Sequence, residues 1–197
     1  QGMLDVLDIF IGQENISAGR QDPYARSHPL SRDRRRALEK YVENQPTPKD
    51  KKMADYWHDR AIGKLSAFMM NSDWTLKNSQ SSRHADVRHL RKSIAYSRKG
   101  KLVEAINEIE KAKKLQPKDA YLKDLKAEIY MRHKKFSLAA EEYRTASEIE
   151  PKNALILAGY GRALLAANQT AKALGILKKS RQIDFRNIRM MRDLAVA

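Results

Sequence analysis

The chain has 197 residues, no cysteine and a formal net charge of +15. The missing cysteine excludes disulfides, thiol catalysis and cysteine-ligated zinc, and no run of eighteen apolar residues is present to form a membrane span. With 42% hydrophobic residues, 8 Gly and 6 Pro the composition is that of a globular, helical chain. The charge is uneven. Residues 86–197 hold 25 Lys+Arg against 13 Asp+Glu, a net +12, whereas residues 1–85 carry only +3.

Residues 2–14 hold Met3, Leu4, Val6, Leu7, Ile9, Phe10 and Ile11, with Asp5 and Asp8 as polar members. A helix this apolar needs a surface to bury against. No basic region and cleavage site of a signal peptide are visible at the N-terminus. Pro23 and Pro29 break the following loop. Ser31 is placed to cap a helix over about 32–43, with Ala37, Leu38, Tyr41 and Val42 on its apolar side and Arg34, Arg35, Arg36 and Lys40 outside. Residues 45–53 form a polar linker. A helix is expected over about 54–70, where Trp57, Ala61, Leu65, Phe68 and Met69 share one face and read as core. The Ser- and Asn-rich stretch 71–85 reads as a loop.

From Asp86 the chain repeats with a period of 34 residues. Pro117 is followed by Pro151, Ala112 by Ala146 and Ser180, and Ala105 by Ala139 and Ala173. Tyr96 is followed by Tyr130 and Leu164, and Ile109 by Tyr143 and Leu177. This period, built from two short helices, is the signature of the tetratricopeptide repeat. The units are 86–119, 120–153 and 154–187, with a partial unit at 188–197. Helices are expected at about 86–98 and 102–114, 120–132 and 136–148, and 154–166 and 170–182. Gly100, Lys134 and Asn168 occupy the turns inside the units, where Gly adopts positive φ without steric cost. Small residues at Ser93, Ala127 and Gly161 allow close helix packing. One unit alone cannot bury its apolar face, so stacking makes the core.

The fold class is therefore all-α: a helix-turn-helix solenoid of about three repeats and a trailing helix, preceded by a few further helices. The domain division is 1–45, 46–85 as linker and connecting helix, and 86–197 as the repeat domain.

No complete active site is visible. There is no HExxH, and His28, His58, His84, His89 and His133 show no zinc-ligand spacing with carboxylates. Gly159-Tyr160-Gly161 lies within a helix and is no phosphate loop. We therefore expect no catalytic residue, metal or cofactor in this chain.

The segment from Asp22 to Arg34, with its Ser27-His28-Pro29-Leu30 block, resembles the late peptidase domain of periplasmic zinc metallopeptidases of the HtpX/BepA-like family, in which a peptidase domain continues into tetratricopeptide repeats. The resemblance also touches Gly2-Met3-Leu4, Lys64 to Phe68 and the closing Met191 to Ala197. It implies that residues 1–45 are the end of a metallopeptidase domain and that zinc and HExxH lie upstream, in a parent protein of the periplasm or cell envelope engaged in protein quality control. It implies a role for His28 in gating the cleft of that parent, with residues 1–197 inactive alone. The reading from the residues themselves is that His28 and Pro29 shape a loop.

By similarity to known repeats, the inner groove is lined by Val87, Leu90, Ile94 and Ser97, by Tyr121, Asp124, Glu128 and Met131, and by Leu155, Ala158, Arg162 and Leu165. Leu90 and Ile94 stand where carboxylate-clamping repeats carry Lys and Asn, so no clamp is expected. Asp124 and Glu128 give the groove an acidic middle, suited to an apolar or weakly basic segment. The expected partners are protein or peptide segments, with no nucleic acid, weak membrane association and self-association of the open stack. The alternative is charge-driven binding of an anionic membrane surface or nucleic acid by the +12 repeat region.

Overall fold

The computed structural model describes Leu7, Asp8, Ile11 and residues 31–43 and 50–197. The chain divides into two compact units, Gln1–Lys51 and Lys52–Ala197.

In the first unit, α1 spans Ser31–Glu43. Its Arg35 is only half-exposed, because its Nε donates to Asp8 at 2.6 Å and its Nη1 to Glu39 one turn on. Tyr41, expected on the apolar side, is 63% exposed. The remainder of the expected N-terminal helix and of the loop around His28 lies outside the described residues.

In the second unit, α2 spans Lys51–Met69 and α3 Ser72–Asn78, followed by a 3-10 turn at Ser79–Ser81. Three helix pairs follow: α4 (Ala85–Arg98) with α5 (Leu102–Leu115), α6 (Ala120–Arg132) with α7 (Phe136–Ile149), and α8 (Ala154–Ala166) with α9 (Thr170–Ile183). A last helix, α10, spans Ile188–Val196. These described elements are all helical, and the paired helices form a tetratricopeptide-type solenoid at the expected positions.

The 34-residue period is written into the backbone. Gly100, Lys134 and Asn168 adopt φ of 77°, 57° and 58°. Each ends the first helix of its pair with the same two hydrogen bonds. Gly100 N–H donates to Ser97 O and Lys101 N–H to Tyr96 O, and the pattern recurs at 134/131 with 135/130 and at 168/165 with 169/164. This double bond pattern is the Schellman helix stop. A second column starts the helices. The side chains of Asp119, Asn153 and Asn187, also 34 apart, accept backbone N–H groups at the starts of α6, α8 and α10.

Packing follows the columns. Ala105, Ile109 and Ala112 are fully buried with Leu90, Ile94 and Leu122 in one cluster, and Ala139, Tyr143 and Ala146 with Ile156 and Leu164 in the next. Gly161 is required where it stands, since a Cβ there would meet Leu177 at 2.5 Å. Met190 of α10 is fully buried against Ala158 and Leu177, so α10 closes the third repeat. Between repeats, Lys126 bridges Glu110 and Glu142 while Lys113 reaches the same two carboxylates. Burial alone would raise the Glu110 pKa, but the bonds from Lys126 and Lys113 outweigh it and hold the carboxyl below its ordinary value.

Two expectations are corrected. Residues 71–85 are not a loop. The Asn71 side chain caps α3 by accepting the Asp73 N–H at 2.8 Å, and Thr75, Ser79 and Ser82 are buried. Exposed Ser81 and buried Ser82 accept hydrogen bonds from Nη1 of Arg91, which is 3% exposed. Nor is the stripe on α2 core. Trp57 is 44% exposed, Leu65 55%, Phe68 38% and Met69 73%. The face of α2 that is buried holds Arg60, Gly63 and Ala67 instead.

Candidate functional site

The inner surface of the solenoid is built by the first helices of the pairs, α4, α6 and α8, together with α2. Ala67 of α2 packs in one cluster with Leu90 and Ile94 of α4. Gly63 lies against Val87 and Arg91. The small residues of α2 thus let it settle on the groove positions of the first repeat. Leu90 and Ile94 are each 2% exposed as a result.

Polar contacts lock α2 in place. The Tyr56 hydroxyl donates to Asp86 at 2.6 Å, and Arg60 donates to the Tyr56 oxygen at 3.0 Å and to Asp119. Asp119 is the same residue that caps α6. Burial opposes the Arg60 charge, but the bond to the Asp119 carboxylate more than compensates, and the Arg60 pKa is raised. Burial, then the bond to Asp86, pushes the Tyr56 hydroxyl up to about 12. Asp59, one turn before Gly63, accepts from both the backbone N–H and the ring of His84. At the other end, Arg98 Nη1 donates to the carbonyls of Ala67 at 2.7 Å and Met70 at 2.5 Å. A cation there complements the negative C-terminal end of α2.

Two adjoining cavities open on this surface, with Phe68 in the wall of both. The first, about 680 Å³, is apolar and is lined by Trp57, Ala61, Leu65, Leu90 and Tyr121, with the stems of Arg60 and Lys64. Trp57 and Tyr121 meet edge to face at 6.4 Å. The second, about 510 Å³, has Ile94, Leu125, Ile129, Met131 and Tyr143 as its apolar part. Its charged lining is Arg98, Arg132, Arg162 and Arg189 against Glu128.

The groove residues expected from sequence fall as follows. Tyr121 is 42% exposed in the apolar cavity, and Glu128, Met131 and Arg162 line the charged one. Leu90 and Ile94 remain at the edges of the cavities but are largely covered by α2. Asp124 is half-buried, one helical turn before Glu128. Burial, then repulsion from Glu128, raises its carboxyl to about 7 against a weaker pull from Lys64. Burial first, then Asp124 and Glu128, also raises the Tyr143 hydroxyl. Arg162 is held by Asp193 of α10, Nε to Oδ2 at 2.8 Å. His28 lies outside the described residues.

Several lining residues, Trp57, Leu65, Phe68, Arg98, Arg132 and Arg189 among them, were not assigned to the groove from the sequence. Trp57, Leu65 and Phe68 read as core, and Arg98 and Arg132 had no individual reading. Arg98 and Arg132 are 34 residues apart, and that spacing alone places both at the same end of consecutive repeat helices. Among the described residues no three His, Asp or Glu side chains come together as metal ligands. No described helix is long and apolar enough to cross a membrane.

Comparison with known proteins agrees with the fold. Residues 130–194 match the tetratricopeptide repeat family model. No curated protein matches the chain. Among solved structures, it is similar to the first tetratricopeptide repeat domain of Spaghetti (RPAP3) bound to HSP90 peptide SRMEEVD. The identity is 21%, with 57% of this chain and 91% of that chain covered and a TM-score of 0.53. It is also similar to MamA MSR-1, at 17% identity, 74% and 85% coverage and a TM-score of 0.55. MamA AMB-1 gives 18%, 70% and 84%, and 0.57. At these identities the likeness is one of fold.

Proposed function

We propose that the protein is an interaction module whose groove, between α2 and α10, holds a segment of a protein partner. The observation that carries this is the exposed apolar face of α2. Trp57, Leu65 and Phe68 stand outward beside two open cavities, while the opposite face of the same helix is locked down by Arg60, Gly63 and Ala67. Contiguous exposed apolar surface rimmed by charge is the mark of an interaction site. Tetratricopeptide repeats mediate protein–protein contacts in general, and the similar RPAP3 domain is bound to a peptide, which supports a peptide-like occupant. The test is photo-crosslinking from a benzoylphenylalanine placed at position 131, inside the groove, and at position 178, outside it. Protein adducts should form from position 131. Adducts from position 178 alone would overturn the assignment.

The resemblance of residues 22–34 to HtpX/BepA-like metallopeptidases supports a finer reading, in which this module recruits substrates or envelope partners for a zinc protease. The chain itself contains no HExxH, so that reading concerns a parent protein. Coding sequence upstream of residue 1 tests it: an HExxH with a downstream Glu is expected, and an open frame without them removes the protease context.

A further inference from the structure

We infer that the groove selects an extended acidic segment carrying one bulky apolar side chain, engaged through its interior rather than through a free terminus. This deepens the proposed function and rests on it.

The first cavity is walled by Trp57, Leu65, Phe68 and Tyr121 and offers little polar surface, so it matches an aromatic or large aliphatic side chain. The second holds four guanidinium groups and one carboxylate. Arg162 is already neutralised by Asp193, and Arg98 is engaged with the end of α2. Arg132 and Arg189 are exposed and make no ion pair with any described residue. They come from α6 and α10, on separate elements, yet line one cleft. Guanidinium groups present planar, paired donors suited to carboxylates. Phe68 belongs to both cavities, so one extended chain crossing it places its apolar residue on one side and its acidic residues on the other.

Such a ligand keeps the apolar part expected from the sequence and replaces the weakly basic part with an acidic one. The sequence-based expectation took Asp124 and Glu128 as the acidic middle of the groove, but Asp124 is half-buried and lines neither cavity, whereas Arg98, Arg132 and Arg189 line the same cavity as Glu128. A free C-terminal carboxylate is not required, because the positions that clamp one in other repeats are Leu90 and Ile94 here and lie beneath α2. A polyphosphate backbone suits the groove less well, since Glu128 sits among the arginines and half of the surface is apolar. The apolar half comes largely from α2, which precedes the repeats.

The experiment uses the full chain and fluorescein-labelled probe peptides. In one set a single Trp, Phe or Leu is flanked on one side by Asp and Glu. In a matched set the flank is Lys. Each acidic probe is made with a C-terminal acid and a C-terminal amide. Fluorescence anisotropy should show saturable binding of acidic probes, equal for acid and amide, and at least about tenfold tighter than for Lys-flanked probes. Arg132→Glu and Arg189→Glu should each weaken acidic probes about tenfold or more. Phe68→Ala should weaken both halves of the contact. Lys178→Glu, the same charge change at an exposed position on α9, should alter binding less than about twofold. Circular dichroism and thermal melting confirm that each variant is folded.

Three outcomes overturn the inference: no saturable binding of any acidic probe, equal loss with Lys178→Glu and Arg132→Glu, or displacement by heparin that is indifferent to Phe68→Ala. The last would mean a polyanion held by overall charge. If Lys-flanked probes instead bind and remain sensitive to Phe68→Ala, the groove assignment stands and the acidic specificity falls.

Discussion

Gly63 of α2 lies so close to Val87 of α4 that a methyl group in place of its hydrogen would stand 2.7 Å from Val87 Cγ1. Val87 is fully buried, so it has no room to withdraw. Two effects oppose each other in Gly63→Ala. Helix propensity favours Ala by about 1 kcal/mol, while overpacking costs about 1–3 kcal/mol. Overpacking should win. We expect Gly63→Ala to destabilise the protein by about 1 kcal/mol and Gly63→Leu by about 3 kcal/mol or more. Urea titration gives the energies, and amide hydrogen exchange in 52–69 shows whether α2 lifts from the groove. A Leu variant as stable as the parent would disprove the close docking of α2.

The turn column offers the opposite kind of change. Lys134 holds φ of 57°, where Gly100 in the preceding repeat holds 77° at no steric cost. A left-handed conformation costs a non-glycine residue roughly 1–2 kcal/mol, partly offset by the entropy that glycine loses on folding. Lys134→Gly should therefore stabilise the fold by about 0.5–1 kcal/mol. Gly100→Ala should destabilise it by about 1 kcal/mol, although a Cβ there would meet nothing within 4 Å. Chemical denaturation of the two variants is the measurement. A loss of stability in Lys134→Gly would contradict the assignment.

Asp124 predicts a pH dependence. Its carboxyl is raised to about 7 in the fold, above its ordinary value of 3.8, by partial burial and then by Glu128, with Lys64 opposing. Between those values the folded state keeps a proton that the unfolded chain has released, so stability falls as pH rises from about 4 to about 7. Above 7 the fold carries the unfavourable charge at a constant penalty. Asp124→Asn should leave stability nearly unchanged at pH 4 and increase it by about 1–2 kcal/mol at pH 8, after allowance for partial solvent screening. In thermal melts that is roughly 3–6 °C. A parent and variant with parallel pH profiles would show that Asp124 does not titrate in this range.

The repeats were legible because each column is enforced by local geometry that the sequence must encode. Pro117 and Pro151, the alanines at 105, 139 and 173, and the turn residues at 100, 134 and 168 all report the same backbone. The seating of α2 was not legible. Trp57, Ala61, Leu65 and Phe68 have helical spacing whether they face a core or an unfilled groove. What decides the matter is contact between residues far apart in sequence: Gly63 with Val87, and Arg60 with Asp119. The helix at 72–78 was hidden because serine and asparagine favour loops by composition, yet here Asn71 caps the helix and Ser81 and Ser82 serve Arg91. In the site, Tyr121, Glu128, Met131 and Arg162 followed from repeat position. Arg98 and Arg132 did not, because arginines at helix ends are common on any surface.

The pairing of Arg60 with Asp119 can be separated from the capping role of Asp119. Arg60 is 5% exposed, and its loss leaves a largely buried carboxylate that keeps only the N–H groups of Tyr121 and Leu122. Breaking one side of a buried pair costs about 3–5 kcal/mol, so Arg60→Met should approach that loss and free the N-terminal half of α2. Asn caps helices as well as Asp does. Asp119→Asn therefore preserves the start of α6 while removing the charge. The double variant Arg60→Met, Asp119→Asn should recover at least about 1 kcal/mol relative to Arg60→Met alone, since no unpaired buried charge remains. Urea unfolding of the four members of the cycle measures the coupling. Strict additivity would mean that the ion pair does not hold α2 to the second repeat, and that Gly63 and Ala67 alone seat it.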